Sequence, residues 1–205
     1  MNFTENEKGV ISLEACICVP IFLFLLMFVY GLMVSFTGEQ IIKHTLIQSG
    51  ESLSLDSYAT DKFGGVGSFD DIFSAEGDPD IKQIVLALYG QISQGTNEKY
   101  KYYSSSKKWY DEAGKKDLTQ TVKNRFMGYL SGSSDNVEQK ADEILKVIGV
   151  VNGINGIDFN ESQVDDNGTL TLVISYKQEF VFNFGGLAAF DRKLTMAIDM
   201  WGRKK

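Results

Sequence analysis

Cysteine, proline and histidine are scarce in this chain: two, two and one among 205 residues. Both cysteines, Cys16 and Cys18, lie inside one apolar run near the start, and none follows. An extracellular framework stapled by disulfides is therefore excluded. Within the run the two side chains read as small apolar groups rather than metal ligands or nucleophiles. The single histidine, His44, lies just past the run. Any Ser–His or Cys–His mechanism would have to use it, with both cysteines inside the run, which is poor geometry for hydrolysis. The sequence has no H-E-x-x-H, no C-x-x-C and no Gly-Lys-Ser/Thr after its glycine-rich stretch. A cation excess is also missing. The net charge is −7, which does not favour nucleic acid as a partner. The acids Asp70, Asp71, Asp78 and Asp80 read as solvated loop charge, and "DFNESQVDDNG" has the wrong spacing for a calcium loop. These absences lead us to expect no enzyme, no cofactor and no metal site.

What the chain does have is a long hydrophobic run. From Ala15 to Phe36 there are 22 residues without a formal charge. As a helix they would span roughly 33 Å, close to the ~30 Å hydrocarbon core of a bilayer. A cleaved secretory signal has an apolar region of only about 7–15 residues and ends in an A-x-A-like site, and no such site stands out here. The run is read as a retained transmembrane anchor. Lysine and arginine are too few on either flank for the positive-inside rule to give orientation. A short N-terminal flank before a large C-terminal domain favours the bulk facing outside the cytoplasm.

No proline interrupts Ile21 to Asp78, and a loose helical period continues past the run through Ile41, Ile42, Thr45, Leu46, Ser49 and Leu53. One helix is predicted from about Ile11 to near Asp56, with Gly38 and Gly50 weakening it. A glycine-rich loop, "DKFGGVGSFDD", follows. Further helices are predicted on Ile81, Ile84, Val85, Leu88 and Ile92, and on Leu118, Val122, Phe126 and Leu130. A third is predicted on Val137, Ala141, Ile144, Leu145 and Ile148, opened by an Asp135/Glu138 pair resembling a capping box. The period then changes to two. Leu170, Leu172, Ile174 and Tyr176 alternate, as do Leu194, Met196, Ile198 and Met200, and "DDNG" is a hairpin signal. The fold class expected is α+β: a long N-terminal transmembrane helix extending into a stalk, then helices packed on a C-terminal antiparallel sheet of three or four strands. The segments are 1–9 leader, 10–36 transmembrane helix, 37–58 helical stalk and 59–205 extracytoplasmic domain.

One segment is anomalous in an acidic chain. Lys99 to Lys116 holds six lysines interleaved with Tyr100, Tyr102, Tyr103, Trp109 and Tyr110. Cations beside aromatic faces can hold a ligand by stacking and phosphate contact, with Lys107, Lys108, Trp109 and Tyr110 as its centre. The plainer alternative has the aromatics capping the core and the lysines in solvent.

The other anomaly is Glu14, an acid at the edge of the apolar run, where an unpaired charge is unfavourable. One explanation is local: a carboxylate near the start of a helix suits the helix dipole. A second explanation follows from the residues before it. A cut after Gly9 would give Val10 a free ammonium and make Glu14 the fifth residue, able to pair with the new amino terminus of a neighbouring subunit. Burying two opposite charges together costs much less than burying either alone.

The stretch "KG/VISLE" resembles the processing site of type IV prepilins. More specifically, "GVISLEACICVPIFLFLLMFVYG" resembles the N-terminus of TadE-like proteins of the tight-adherence pilus system, with Glu14, then Pro20 six residues later, and the Tyr30–Gly31 pair. The likeness covers about Lys8 to Gly50. Residue one after the cut is Val, and the late cysteine pair of many type IV pilins is missing. Both features fit the TadE-like group better. The resemblance implies a cytoplasmic leader removed by a prepilin-type peptidase, with Gly9 and Val10 flanking the cut. It also implies Glu14 as the assembly carboxylate, Pro20 as a break in the helix ladder, and other pilin or pilus-assembly subunits as partners in or on the membrane. The alternative reading is a single-pass membrane protein whose outer domain binds a ligand.

Overall fold

A computed structural model of the chain describes residues 3–63, 102–103, 115–132, 136–180 and 189–200, with side chains described over 14–57 in the first segment and 118–132 in the third. The glycine-rich loop, the helix expected around Ile81–Ile92 and the Lys107–Tyr110 patch lie outside the described residues. Helix α1 spans Phe3–Phe63. Helix α2 spans Lys115–Ser131 and helix α3 Val137–Val147. A short 3-10 turn, Gly153–Gly156, leads into strands β1 (Gln163–Val164), β2 (Thr169–Gln178) and β3 (Phe190–Asp199). The fold is α+β, and among the described residues three strands form an antiparallel sheet in the order β1-β2-β3.

The "DDNG" signal makes the β1–β2 turn. The Asp165 carboxylate accepts from the backbone N–H groups of Asn167 and Thr169 at 3.1 and 2.7 Å, and Gly168 takes φ +82°. An aspartate closing the turn on itself and a glycine at left-handed φ are the chemistry such a loop requires. The alternating residues of β2 point inward as their period demands: Leu170, Leu172, Ile174 and Tyr176 are all buried. The β2–β3 register runs without a break from Thr169↔Asp199 to Gln178↔Phe190.

The period-four apolar residues of α2 are Leu118, Val122, Phe126 and Leu130, and all are buried. Phe126 meets Phe159 edge-on at 5.5 Å, which ties α2 to the segment before the sheet. In α3, Val137, Ala141 and Leu145 are buried. Its N-cap is Asn136, without a side-chain capping bond, and Asp135 of the expected capping box lies outside the described residues. Glu138 accepts from the Tyr102 hydroxyl at 2.8 Å, a long-range use for that carboxylate.

Helix α1 continues about two turns beyond its expected end. The part expected as a stalk is helical, and the rest of the domain is built around one side of it. Ile42, Leu46 and Leu53 are at most 1% exposed and belong to the main core. Each buried side chain of that size contributes roughly 1.5–3 kcal/mol, so this stretch of α1 is a structural element of the head and more than a spacer. Arg125 of α2, itself buried, donates to Asp56 and Ser52 of α1. Ser54 Oγ donates to the Asp199 carbonyl at 2.8 Å.

Gly38 and Gly50 weaken α1 by propensity but are where other elements come closest. A Cβ on Gly38 would lie 2.9 Å from Ile148 Cβ and 3.4 Å from its carbonyl oxygen. On helix propensity alone, Gly38→Ala should stabilise by about 1 kcal/mol. The contact with a backbone-proximal atom reverses that sign. Gly38→Ala is expected to destabilise the protein by about 1–3 kcal/mol, read as a lower urea midpoint in detergent-solubilised protein.

Candidate functional site

Every residue of α1 from Glu14 to Tyr30 is exposed, and burial begins abruptly at Gly31. Exposure runs right round the helix: the consecutive residues Ile21 63%, Phe22 60%, Leu23 53% and Phe24 53%, each turned about 100° from the last, are all exposed. The apolar part has a mean hydropathy of 2.7 and is long and apolar enough to cross a membrane. A core helix of that hydropathy would be covered by its own protein. This one is bare until the head begins.

Glu14 and Pro20 both lie on this bare stretch and are exposed. Gly9 and Val10 fall within the helical part of the backbone. The side chains four residues either side of Glu14 are Val10 and Cys18, so the helix itself offers the carboxylate no cation at the usual pairing distance. Pro20 has no N–H to give the Cys16 carbonyl one turn back. Both cysteines are exposed free thiols on the same bare stretch, and His44 is exposed on α1 further along. Among the described residues no group of three or more His, Cys, Asp or Glu could hold a metal ion.

The boundary between bare helix and head is built from residues whose role the sequence does not announce. At Gly31 the Phe180 ring comes so close that a Cβ would sit 2.5 Å from its Cε1. Phe180 also stacks on Phe28 at 5.7 Å. One turn on, Ser35 Oγ donates to Gln178 Oε1 at 3.2 Å. Gln178 Nε2 donates to the carbonyls of Ser35 at 3.2 Å and Ile148 at 3.1 Å. Gln178 is 1% exposed, so leaving this amide unpaired would cost about 1–3 kcal/mol. Its bonds join α1, β2 and the end of α3 at one point. Next comes the Glu39–Arg192 ion pair at 3.5 Å, partly exposed and worth about 1 kcal/mol or less. The available signal was the spacing of Gly31, Ser35 and Gly38. These are small residues three and four apart, the pattern of a helix face that another element approaches closely.

Tyr176 faces this pair from β2, directly across from Arg192 in the register. It is 3% exposed and its hydroxyl has no hydrogen-bond partner. Burial pushes its phenol up to about 12, and the Glu39 charge adds to the rise while Arg192 opposes it. Away from the boundary, Asp142 is held below the usual carboxylate range, mainly by its bond from Lys146.

No protein-family model, curated protein or solved structure matches this chain.

The Tyr176 phenol gives a pH test. A folded pKa above the unfolded value of 10.0 means the folded state holds the proton longer. Its contribution is complete below pH 10 and falls away as pH rises towards about 12. Absorbance titration should show a late-ionising tyrosine component that Tyr176→Phe removes. Because the lost hydroxyl is unpaired, that variant is expected to be as stable as the parent at neutral pH or more stable, by up to about 1 kcal/mol in a urea melt.

Proposed function

We propose that this protein is a TadE-like minor pilin or pseudopilin that acts in assembling a bacterial surface pilus or related secretion apparatus. Its role is structural rather than catalytic. The bare part of α1 anchors it in the membrane, and the head stands on the far side from the cytoplasm. A leader ending at Gly9 is removed by a prepilin-type peptidase, and the ammonium of Val10 and the carboxylate of Glu14 set the register between neighbouring subunits.

One observation carries this reading: a single helix that is apolar and bare on all sides from Ala15 to Tyr30, bears the acid Glu14 at the start of that stretch, and continues as a core element of the head. A helix bare on every side needs lipid or other helices around it. A carboxylate on such a helix needs a cation that its own turn does not provide. A neighbouring subunit's amino terminus meets both demands. Because α1 also belongs to the head, a subunit fixed through its bare end has its head fixed as well.

The test is the amino-terminal residue of the protein purified from its native membrane, by intact mass and N-terminal peptide mapping. A start at Val10 is expected. A start at Met1 or Asn2 would overturn the processing step and the pairing built on it. In cleaved protein, Glu14→Gln should leave membrane insertion and head stability unchanged while abolishing co-purification with pilus-assembly subunits. Unchanged co-purification would remove Glu14 from the account.

A further inference from the structure

We propose that the base of the head dips into the interfacial zone of the bilayer that α1 crosses, through Phe180, Phe190 and Val147, so that the protein holds the membrane at a second place besides its helix. This rests on the membrane reading above.

The geometry follows from how the strands run along α1. Leu172 of β2 comes near Gly50, and Gln178 near Ser35 and Gly38. Strand β2 therefore travels back towards the bare end of the helix. Strand β3 travels away from it, from Arg192 beside Glu39 to Asp199 beside Ser54. The connection between the two strands leaves and returns at the membrane-facing end of the head. Its first aromatic, Phe180, overshoots the head's own footprint on α1 and stacks on Phe28, inside the bare stretch. From Phe28 to Phe36, the end of the uncharged run, the helix rises about 12 Å. A group at that depth matches the ~5–10 Å by which interfacial elements enter a bilayer, with some to spare.

Two other elements bring apolar side chains to the same end of the head, near the level of Ser35 and Gly38. Phe190 starts β3 opposite Gln178 and is 49% exposed. Val147 ends α3, next to the Ile148 that meets Gly38, and is 76% exposed. Exposed apolar residues scattered singly are ordinary. Phe190 and Val147 both lie towards the end of the head where the bare helix begins, on the side that Phe180 leaves. Phe is among the residues that interfacial elements bury at the headgroup–acyl boundary. The nearby lysines do not set the attraction. Lys146, Lys177 and Lys193 each face an acid, Asp142, Asp191 and Glu161. Insertion is driven by apolar burial, and phosphatidylcholine alone suffices.

The experiment uses the full chain in phosphatidylcholine vesicles, in a Cys16→Ser, Cys18→Ser background. An environment-sensitive NBD label is placed singly through Val147→Cys, Phe190→Cys, Leu25→Cys or Asp166→Cys. Asp166 lies in the exposed turn before β2, at the far end of the head. Doxyl-labelled lipid and aqueous iodide serve as quenchers. At 147 and 190 the lipid quencher is expected to lower emission by roughly half while iodide has little effect, as for a group seated ~5–10 Å into the boundary. Position 25 should respond to lipid, and 166 to iodide alone.

Lipid quenching at 25 with iodide quenching at 147 and 190 would overturn the inference and leave the anchor standing. No lipid quenching at 25 would overturn the anchor and this inference with it. Protection from both quenchers at 147 and 190 would mean that another protein surface, such as a second copy, covers the base, and would also overturn it.

Discussion

The close approach of the rest of the domain to one face of α1 is the constraint on which everything else depends. That face carries Gly31, Ser35, Gly38, Thr45, Ser49, Gly50, Ser54 and Ser57, with Ile42, Leu46 and Leu53 between them. Small residues let Phe180, Ile148 and the β2–β3 side chains reach the helix surface, and the larger ones fill the core. Were the face uniformly large, the sheet would have to stand further off. The Gln178 and Ser54 hydrogen bonds, which reach only because the backbones are near, would be lost. Helix propensity is given up at the glycines, about 1 kcal/mol each, in exchange for that packing.

Continuity of α1 gives the fold its mechanical character. A domain on a flexible linker transmits neither orientation nor register. Here the helix that is bare at its N-terminal end also carries Ile42, Leu46 and Leu53 into the core and is held at its C-terminal part by Arg125 through Asp56 and Ser52. Tilt or rotation of the bare segment must turn the head with it. The proposed register contact at Glu14 would be transmitted to the far end of the molecule only in a protein built this way.

Much of the architecture was legible from periodicity. The four-residue spacing of Leu118, Val122, Phe126 and Leu130 and the alternation along β2 each mark a buried face, and the turn chemistry of Asp165 and Gly168 fixes the hairpin. The long apolar run was plain for the same reason: charge and polarity are absent over a bilayer's length. What could not be read was where the run stops being bare. Between Tyr30 and Gly31 hydropathy hardly changes, because lipid and protein core are equally apolar solvents for Leu, Val and Phe. Only the small residues distinguish the two, and a glycine in a helix reads first as a weakness. The Ser35–Gln178–Ile148 node was likewise hidden, since Ser35 and Gln178 lie 143 positions apart. Nor was the link from Glu138 to Tyr102 visible, because a local capping role competed for the same side chain.

The central claim is that α1 is one continuous helix from the bare segment to the far side of the head. Spin labels at Ile21→Cys and Leu55→Cys, both exposed positions on α1, measure it directly in a Cys16→Ser, Cys18→Ser background in lipid nanodiscs. A continuous helix places these sites about 51 Å apart along its axis. Double electron–electron resonance should return a narrow distribution centred near that length. A broad distribution, or one centred well below it, would mean that the anchor and the head move independently, and would contradict the account.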